Sequence, residues 1–171
     1  MSIQAEIGPL DHSQGNDQAT VKIIEYGDYQ CPHCSKAHQT IKEIQSTFGD
    51  QIQFVFRNFP LQDSHRYATI AAQATEAAGR QGKFWEMHDA IFEHQDQLNE
   101  DYLDHLAEKL DLDMEQFERD LNDEEIVNKV ENDYETGAET GVHGTPTFFV
   151  NGSKFDGGAE DLLQVLKESG N

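Results

Sequence analysis

Strand-forming sequence occurs at two places in this chain, separated by a stretch, roughly residues 64–140, that carries almost none. Thr20-Val21-Lys22-Ile23-Ile24-Glu25-Tyr26 is β-branched and aromatic and reads as a buried strand. Gln51 to Phe59 reads as a second, with Ile52, Phe54 and Phe56 alternating against Gln53, Val55 and Arg57. Between them, Ala37, Ile41, Ile44 and Phe48 recur at helical spacing, with Pro32 suited to a first turn and Gly49 to a C-terminal stop. Strands return at Thr147–Val150 and Lys154-Phe155, which flank the hairpin signal Asn151-Gly152. A closing helix, Ala159–Lys167, is expected to show Leu162, Leu163, Val165 and Leu166 on an apolar face. A β-α-β order, then helices, then β-β-α leaves few options. Strands on both sides of the helical block predict one α/β fold with that block inserted into it.

Within the block, Arg66–Ala78 and Lys83–Leu98 read as helices. Asn99 is placed to cap Glu100–Leu110, and Asp113 with Gln116 to cap a short helix ending near Leu121. Asn122 with Glu125 predicts the start of a helix running to about Glu139. Residues 1–18, broken by Gly8-Pro9 and Gly15-Asn16, read as a loose arm. The expected division is therefore a flexible arm over 1–18, an α/β domain made of 19–62 and 141–171, and an inserted helical domain over 63–140.

The chain has 171 residues and two cysteines, Cys31 and Cys34. That length buries a core without covalent staples, and a bond closing so small a loop would restrain the unfolded chain little. Chemistry explains the pair better than stability does. At i and i+3 in a first helical turn, the two Cα atoms stand roughly 5 Å apart, which a disulfide tolerates. Cys31 also begins a helix, where free N–H groups and the helix dipole favour a negative charge. The thiolate is the attacking species in thiol exchange. His33 would add a cation or an N–H donor, and stabilising the reduced, ionised form makes the disulfide more oxidising. Cys34, deeper in the helix, is expected to act as the resolving thiol. The competing reading is a zinc half-site in which His33 or His38 joins the cysteines, but no second Cys pair supports it.

Charge narrows the partners. Acidic residues number 33 against 12 basic, a formal charge of -21, which disfavours nucleic acid and anionic membranes. The acid concentrates between Glu93 and Glu139, with 18 Asp or Glu against three Lys or Arg, and reads as a solvated helical face. A salt-adapted surface is the sharper alternative. No stretch approaches the ~20 apolar residues of a membrane span. Residues Met1 to Gln18 lack the basic start and apolar core of a signal peptide. The expectation is a cytoplasmic protein if the chain is complete, and a periplasmic or otherwise extracytoplasmic one if a signal has been removed.

Four segments together resemble the DsbA-like branch of the thioredoxin superfamily, especially its compact bacterial members. They are Glu25-Tyr26-Gly27-Asp28-Tyr29-Gln30-Cys31-Pro32-His33-Cys34, Phe56-Arg57-Asn58-Phe59-Pro60-Leu61, Phe84-Trp85-Glu86-Met87-His88-Asp89, and Gly144-Thr145-Pro146-Thr147-Phe148-Phe149-Val150-Asn151-Gly152. The resemblance implies a thioredoxin fold with an inserted α-helical domain. It implies a thiol–disulfide oxidoreductase using Cys31 and Cys34, with Pro32 and His33 between them. It further implies that the Thr145–Pro146 bond is cis and that the backbone at Thr145 pairs with an extended substrate peptide, a form of strand addition. Glu25 corresponds to a buried acid able to take the proton of Cys34; its alternative is an outward-facing position at a strand edge. Thr145 departs from the family, whose strongly oxidising members often carry Val there.

The expected activity is disulfide exchange with protein thiols, foremost as a disulfide oxidase. A cytoplasmic reductase or isomerase and a non-catalytic metal-binding or chaperone-like module are the alternatives. No cofactor and no metal are expected. The partners implied are protein substrates and a redox partner that re-oxidises or reduces the dithiol, with no membrane insertion. A monomer is expected, since no spare dimerisation helix is visible. Tyr29 and Gln30, just before Cys31, are expected to line the substrate approach. Trp85, His88 and Phe92 share a helical face with Phe84 adjacent and read as a packing stripe. His65 and His143 invite a catalytic reading, whereas His12, His38, His94 and His105 read as solvent-facing.

Overall fold

The computed structural model describes residues 4–169. The first three residues of the expected arm, and residues 170–171 at the end of the α/β domain, lie outside the described residues. Five strands form one sheet in the order β1-β3-β2-β4-β5. They are β1 (His12–Gly15), β2 (Val21–Gly27), β3 (Ile52–Asn58), β4 (Thr147–Val150) and β5 (Ser153–Lys154). β2 and β3 run parallel with Val21 opposite Ile52, while β4 pairs antiparallel to β2 with Ile24 opposite Phe149. A parallel pair needs a crossover, and α1 (Pro32–Phe48) supplies it. Asn151 and Gly152 turn β4 into β5 with φ of 50° and 90°, the left-handed pair that an Asn-Gly hairpin turn requires.

The helical block lies between β3 and β4 as α2 (Ala68–Arg80), α3 (Phe84–Glu93), α4 (Glu100–Lys109), α5 (Met114–Leu121) and α6 (Glu124–Glu139). Asn99 caps α4 by accepting from the amide of Tyr102, and Asp113 caps α5 by accepting from that of Gln116. The α6 cap is Asp123 rather than Asn122, because the Asp123 carboxylate reaches the amide of Glu125 at 3.2 Å. The expected helix over Lys83–Leu98 stops at Glu93 and gives way to a single 3-10 turn at Gln95–Gln97. α7 (Ala159–Ser169) closes the chain, burying Leu162 and Leu166 but leaving Val165 46% exposed.

Both faces of the sheet are covered. On one, Ile23, Phe54, Phe56 and Phe148 join a core with Ala37, Ile41 and Ile44 of α1, Leu162 of α7 and the inserted helices. On the other, Ile24, Tyr26, Val55 and Phe149 pack with Phe59, Val142 and Ala5. β3 is consequently buried at every position instead of alternating. Its polar residues are compensated: Arg57 donates to Asp11 at 2.9 and 2.8 Å and to the Tyr26 hydroxyl at 2.7 Å.

That cover overturns the expectation of a loose arm. His12–Gly15 pairs antiparallel with β3, and the amide of Ala5 donates to the carbonyl of Gly152 at 2.9 Å. Backbone pairing and the Arg57–Asp11 contact hold a segment whose own sequence has little hydrophobic signal. His12 is also not solvent-facing: it stacks on Phe84 at 3.7 Å and bonds to Glu76 at 2.8 Å. His38 is likewise buried, because α3 lies across α1 there. The stripe on α3 packs inward as expected, with Trp85 against Phe54 and both His88 and Phe92 against Phe56.

Candidate active site

Cys31 is the N-cap of α1, with φ −74° and ψ 121°, and Cys34 lies in the first turn. Extended backbone at Cys31 followed by Pro32 is what this sequence demands, because a residue before proline avoids the helical region. The amides of Cys34 and Ser35 donate to the Cys31 carbonyl at 3.1 and 3.2 Å, which locks the turn. Both cysteines are reduced and buried, whereas Pro32 and His33 between them are exposed.

The two thiols are driven apart electrostatically. Cys31 is lowered from 9.0 to about 5, chiefly by its hydrogen bond with Cys34, against desolvation. The backbone amides of Cys34 and His33 add to the lowering. The contribution of His33 thus comes through its amide at the helix start. Cys34 moves the other way, pushed up by burial first and then by its contact with Cys31 and the nearby charges of Glu25 and Cys31. The amide of Asp28 donates to its sulfur at 3.5 Å.

Glu25 sits in the middle of β2 and is buried, not turned outward at an edge. Burial, with a smaller effect from Cys31, raises its carboxyl to about 8. Its Oε2 has no hydrogen-bond partner among the described residues. Gly27 makes room for it: a Cβ there would stand 2.9 Å from Glu25 Oε2 and 2.5 Å from the Phe56 ring. A protonated carboxyl is therefore held beside a thiol that resists ionising.

Across from the dithiol, the Thr145–Pro146 bond is cis. The Cys31 thiol donates to the Thr145 carbonyl at 3.7 Å. Beside this pair runs a groove of about 430 Å³ lined by His33, Thr40, Pro146 and the Gly157–Gly158 turn among others. His143 is exposed on the same loop.

The loop before Cys31 does not serve as expected throughout. Tyr29 is buried in the core, its hydroxyl 2.8 Å from Nδ1 of His88 and its ring against Phe56 and Phe92, so it does not line a substrate path. Gln30 is half-buried, and its side-chain oxygen accepts from the amide of Tyr67 at 2.7 Å. Two residues without a marked sequence role hold this loop. Asp28, fully enclosed, accepts from the amides of Gln30 and Leu61 at 2.8 and 2.9 Å and pairs with Nδ1 of His65 at 2.7 Å. Gln95 donates to the carbonyls of Tyr29 and Cys31 at 2.8 and 2.9 Å. Asp28 lies within the recognised motif and could have been found there. Gln95 arrives from the far end of α3, and nothing in its local sequence marks it. The zinc half-site finds no support in the geometry: among the described residues, the groups that could converge on a metal are His38, His88 and Asp89, without either cysteine.

Residues 9–168 match the family model described as "Thioredoxin". Over 147 residues, 86% of this chain, the sequence is 44% identical to a protein of Salinispora arenicola named Na(+)/H(+) antiporter NhaA 1. The match covers 22% of that protein, so the chain spans about a fifth of the length of such curated relatives. Among solved structures, a thioredoxin-like oxidoreductase from Silicibacter pomeroyi superposes with a TM-score of 0.81 at 25% identity, covering 95% of this chain and 93% of the other. Alpha-DsbA1 of Wolbachia pipientis superposes with a TM-score of 0.83 at 24% identity, covering 95% and 92%.

Proposed function

We propose that this chain, which belongs to the thioredoxin family, is a DsbA-like thiol–disulfide oxidoreductase that introduces disulfide bonds into protein thiols. The observation that carries the reading is the asymmetry of the pair, with Cys31 lowered to about 5 and Cys34 raised. A stabilised thiolate favours the reduced form, and a disulfide whose reduced form is stabilised is a strong oxidant.

The cycle begins with the Cys31–Cys34 disulfide. A substrate thiolate attacks Cys31 Sγ, and the bond to Cys34 breaks with the electron pair leaving on Cys34. Cys34 needs a proton because its thiol resists ionisation, and the protonated Glu25 carboxyl is the nearby source. The second substrate thiolate then attacks the substrate sulfur of the mixed disulfide and expels Cys31 as a thiolate. The substrate loses two electrons and gains a disulfide, while the protein ends as the dithiol. A redox partner that accepts two electrons completes the cycle. Thr145 and Pro146 hold the substrate backbone, and the groove beside them receives the flanking residues. Such work belongs in an oxidising compartment outside the cytoplasm. Among the described residues no helix is long and apolar enough to cross a membrane. The relatives are several times longer, so the proposal concerns the module that this chain forms.

The test is the equilibrium reduction potential of the couple against glutathione, together with capture of substrates by Cys34→Ser. An oxidase should lie toward about −120 mV, and Cys34→Ser, given oxidised substrate, should accumulate mixed disulfides at Cys31, because its thiolate attacks the substrate disulfide and no Cys34 thiol is present to release it. A potential near about −270 mV would assign the protein to reductive work instead. Full turnover by Cys31→Ser would reject the thiol mechanism.

A further inference from the structure

α1 and α3 cross where His38 on one meets His88 and Asp89 on the other. Both imidazoles are buried. One ligand atom from each of the three residues lies within 4.8 Å of the others. Asp89 uses Oδ2 to bind the Lys42 ammonium at 2.7 Å, but its Oδ1 is buried with no partner among the described residues. That oxygen stands 3.8 Å from Nε2 of His38. Glu93, one helical turn beyond Asp89, brings Oε2 to 3.2 Å from the same nitrogen.

A purely structural interface would leave Asp89 Oδ1 without a hydrogen bond among the described residues, and a buried acceptor left unpaired is destabilising. The arrangement makes sense as a ligand set. We propose that His38, His88 and Asp89, with Glu93 as the fourth ligand, bind a divalent metal ion of the zinc class. Two neutral imidazoles and two carboxylates balance a double positive charge. Mixed nitrogen and oxygen donors suit Zn²⁺ or Co²⁺, whereas Ca²⁺ and Mg²⁺ call for oxygen throughout. Tyr29, bonded to Nδ1 of His88 at 2.8 Å, braces that ring as partners of ligating histidines do. The ligand atoms must draw closer by about 1 Å to reach tetrahedral bonds of about 2.0–2.1 Å. The exposed sides permit it: Lys42 is 40% and Glu93 54% exposed, so the ammonium can leave and the carboxylate can swing in. His38 lies one turn beyond Cys34 on α1, so the bound ion would tie the helix that carries the dithiol to the inserted helices.

Cobalt(II) titration of the oxidised protein tests this, because the disulfide removes both cysteines as competing ligands. The expected result is one equivalent bound with tetrahedral d–d bands and no sulfur-to-cobalt charge transfer. His38→Gln, Asp89→Asn and the surface change Glu93→Gln should each weaken binding about tenfold or more. Lys42→Ala should tighten it by removing the competing cation. Retained circular dichroism of each variant confirms the fold, and Glu93→Gln, at an exposed position, serves if the buried changes unfold it. No saturable uptake by the oxidised protein, or uptake that survives His38→Gln, Asp89→Asn and Glu93→Gln, overturns the site. Uptake seen only after reduction, with a thiolate charge-transfer band, would place the metal on the dithiol and equally refute it.

Discussion

Acidification should destabilise the reduced protein far more than the oxidised one. In the reduced form, the Cys31 thiol is lowered from 9.0 to about 5. A depressed pKa contributes stability fully above the unfolded-chain value and loses it as pH falls through the folded value. At about 1.4 kcal/mol per decade, the contribution is about 5 kcal/mol at pH 9 and about 3 kcal/mol at pH 7. At pH 5 less than about 1 kcal/mol remains, because folded and unfolded thiols are then nearly equally protonated. The disulfide form has no thiolate and lacks this slope. Glu25 titrates in the opposite sense, since its raised carboxyl of about 8 costs stability as pH climbs above the ordinary value of 4.5. That cost is set chiefly by burial and so largely cancels between the two redox forms. The assay is urea unfolding of both forms at pH 5 and pH 7, paired with the ultraviolet absorbance of the thiolate against pH. The reduced-minus-oxidised difference should shrink by about 2 kcal/mol over that interval, with an absorbance midpoint near 5. A midpoint at 8 or above, or a pH-independent difference, would refute the assigned thiolate.

Glu25→Gln removes the buried titration: the slope of stability with pH should flatten between about 4.5 and 8, and formation of the mixed disulfide from the Cys31–Cys34 disulfide should slow by about 10²-fold or more in stopped-flow exchange. Gln95→Ala deletes two hydrogen bonds to the carbonyls of Tyr29 and Cys31, so urea unfolding should show a loss of about 1–3 kcal/mol. The same variant should expose the loop before Cys31 to faster amide exchange. Asp28→Ala strands two part-buried amides and the His65 ring, and should cost about 2–4 kcal/mol with Cys31 still alkylatable in the folded state. Full stability of that variant would mean the loop is held by its neighbours alone.

The parts legible in the sequence were those encoded locally. Helical spacing from Ala37 to Phe48, the caps at Asn99 and Asp113, and the Asn151-Gly152 turn depend on neighbours within a few residues, and each stands where expected. The dithiol at a helix start is local in the same sense. What escaped depends on distant partners. β1 has the sequence His-Ser-Gln-Gly, which offers no apolar alternation, and it is a strand because β3 presents an open edge. His12 is partly covered and His38 buried because Glu76 and α3 wait for them across the fold. β3 looked half-solvated because Arg57 is charged, and only the Asp11 carboxylate from the N-terminal segment makes its burial tolerable. Tyr29 lies two residues before the reactive cysteine in sequence yet points into the core, because His88, Phe56 and Phe92 come from distant parts of the chain to receive it.

These long-range contacts give the inserted domain a part in the chemistry. The loop Asp28–Gln30 does not orient Cys31 by itself, because the carbonyls of Tyr29 and Cys31 both accept hydrogen bonds from beyond it. Gln95 at the end of α3 takes both of them. His65, in the segment leading to α2, takes the Asp28 carboxylate, and the amide at Tyr67 takes Gln30. His88 takes the Tyr29 hydroxyl. Every residue from Asp28 to Cys31 is thus held by a group from the segment between β3 and β4. A thiolate stabilised by amides needs those amides fixed, since a hydrogen bond that must reorganise loses much of its effect. Loosening the insertion should therefore raise the Cys31 pKa without any change at the dithiol. Gln95→Ala, read by thiolate absorbance, should move the midpoint upward from about 5, and an unmoved midpoint would show that α1 alone sets it.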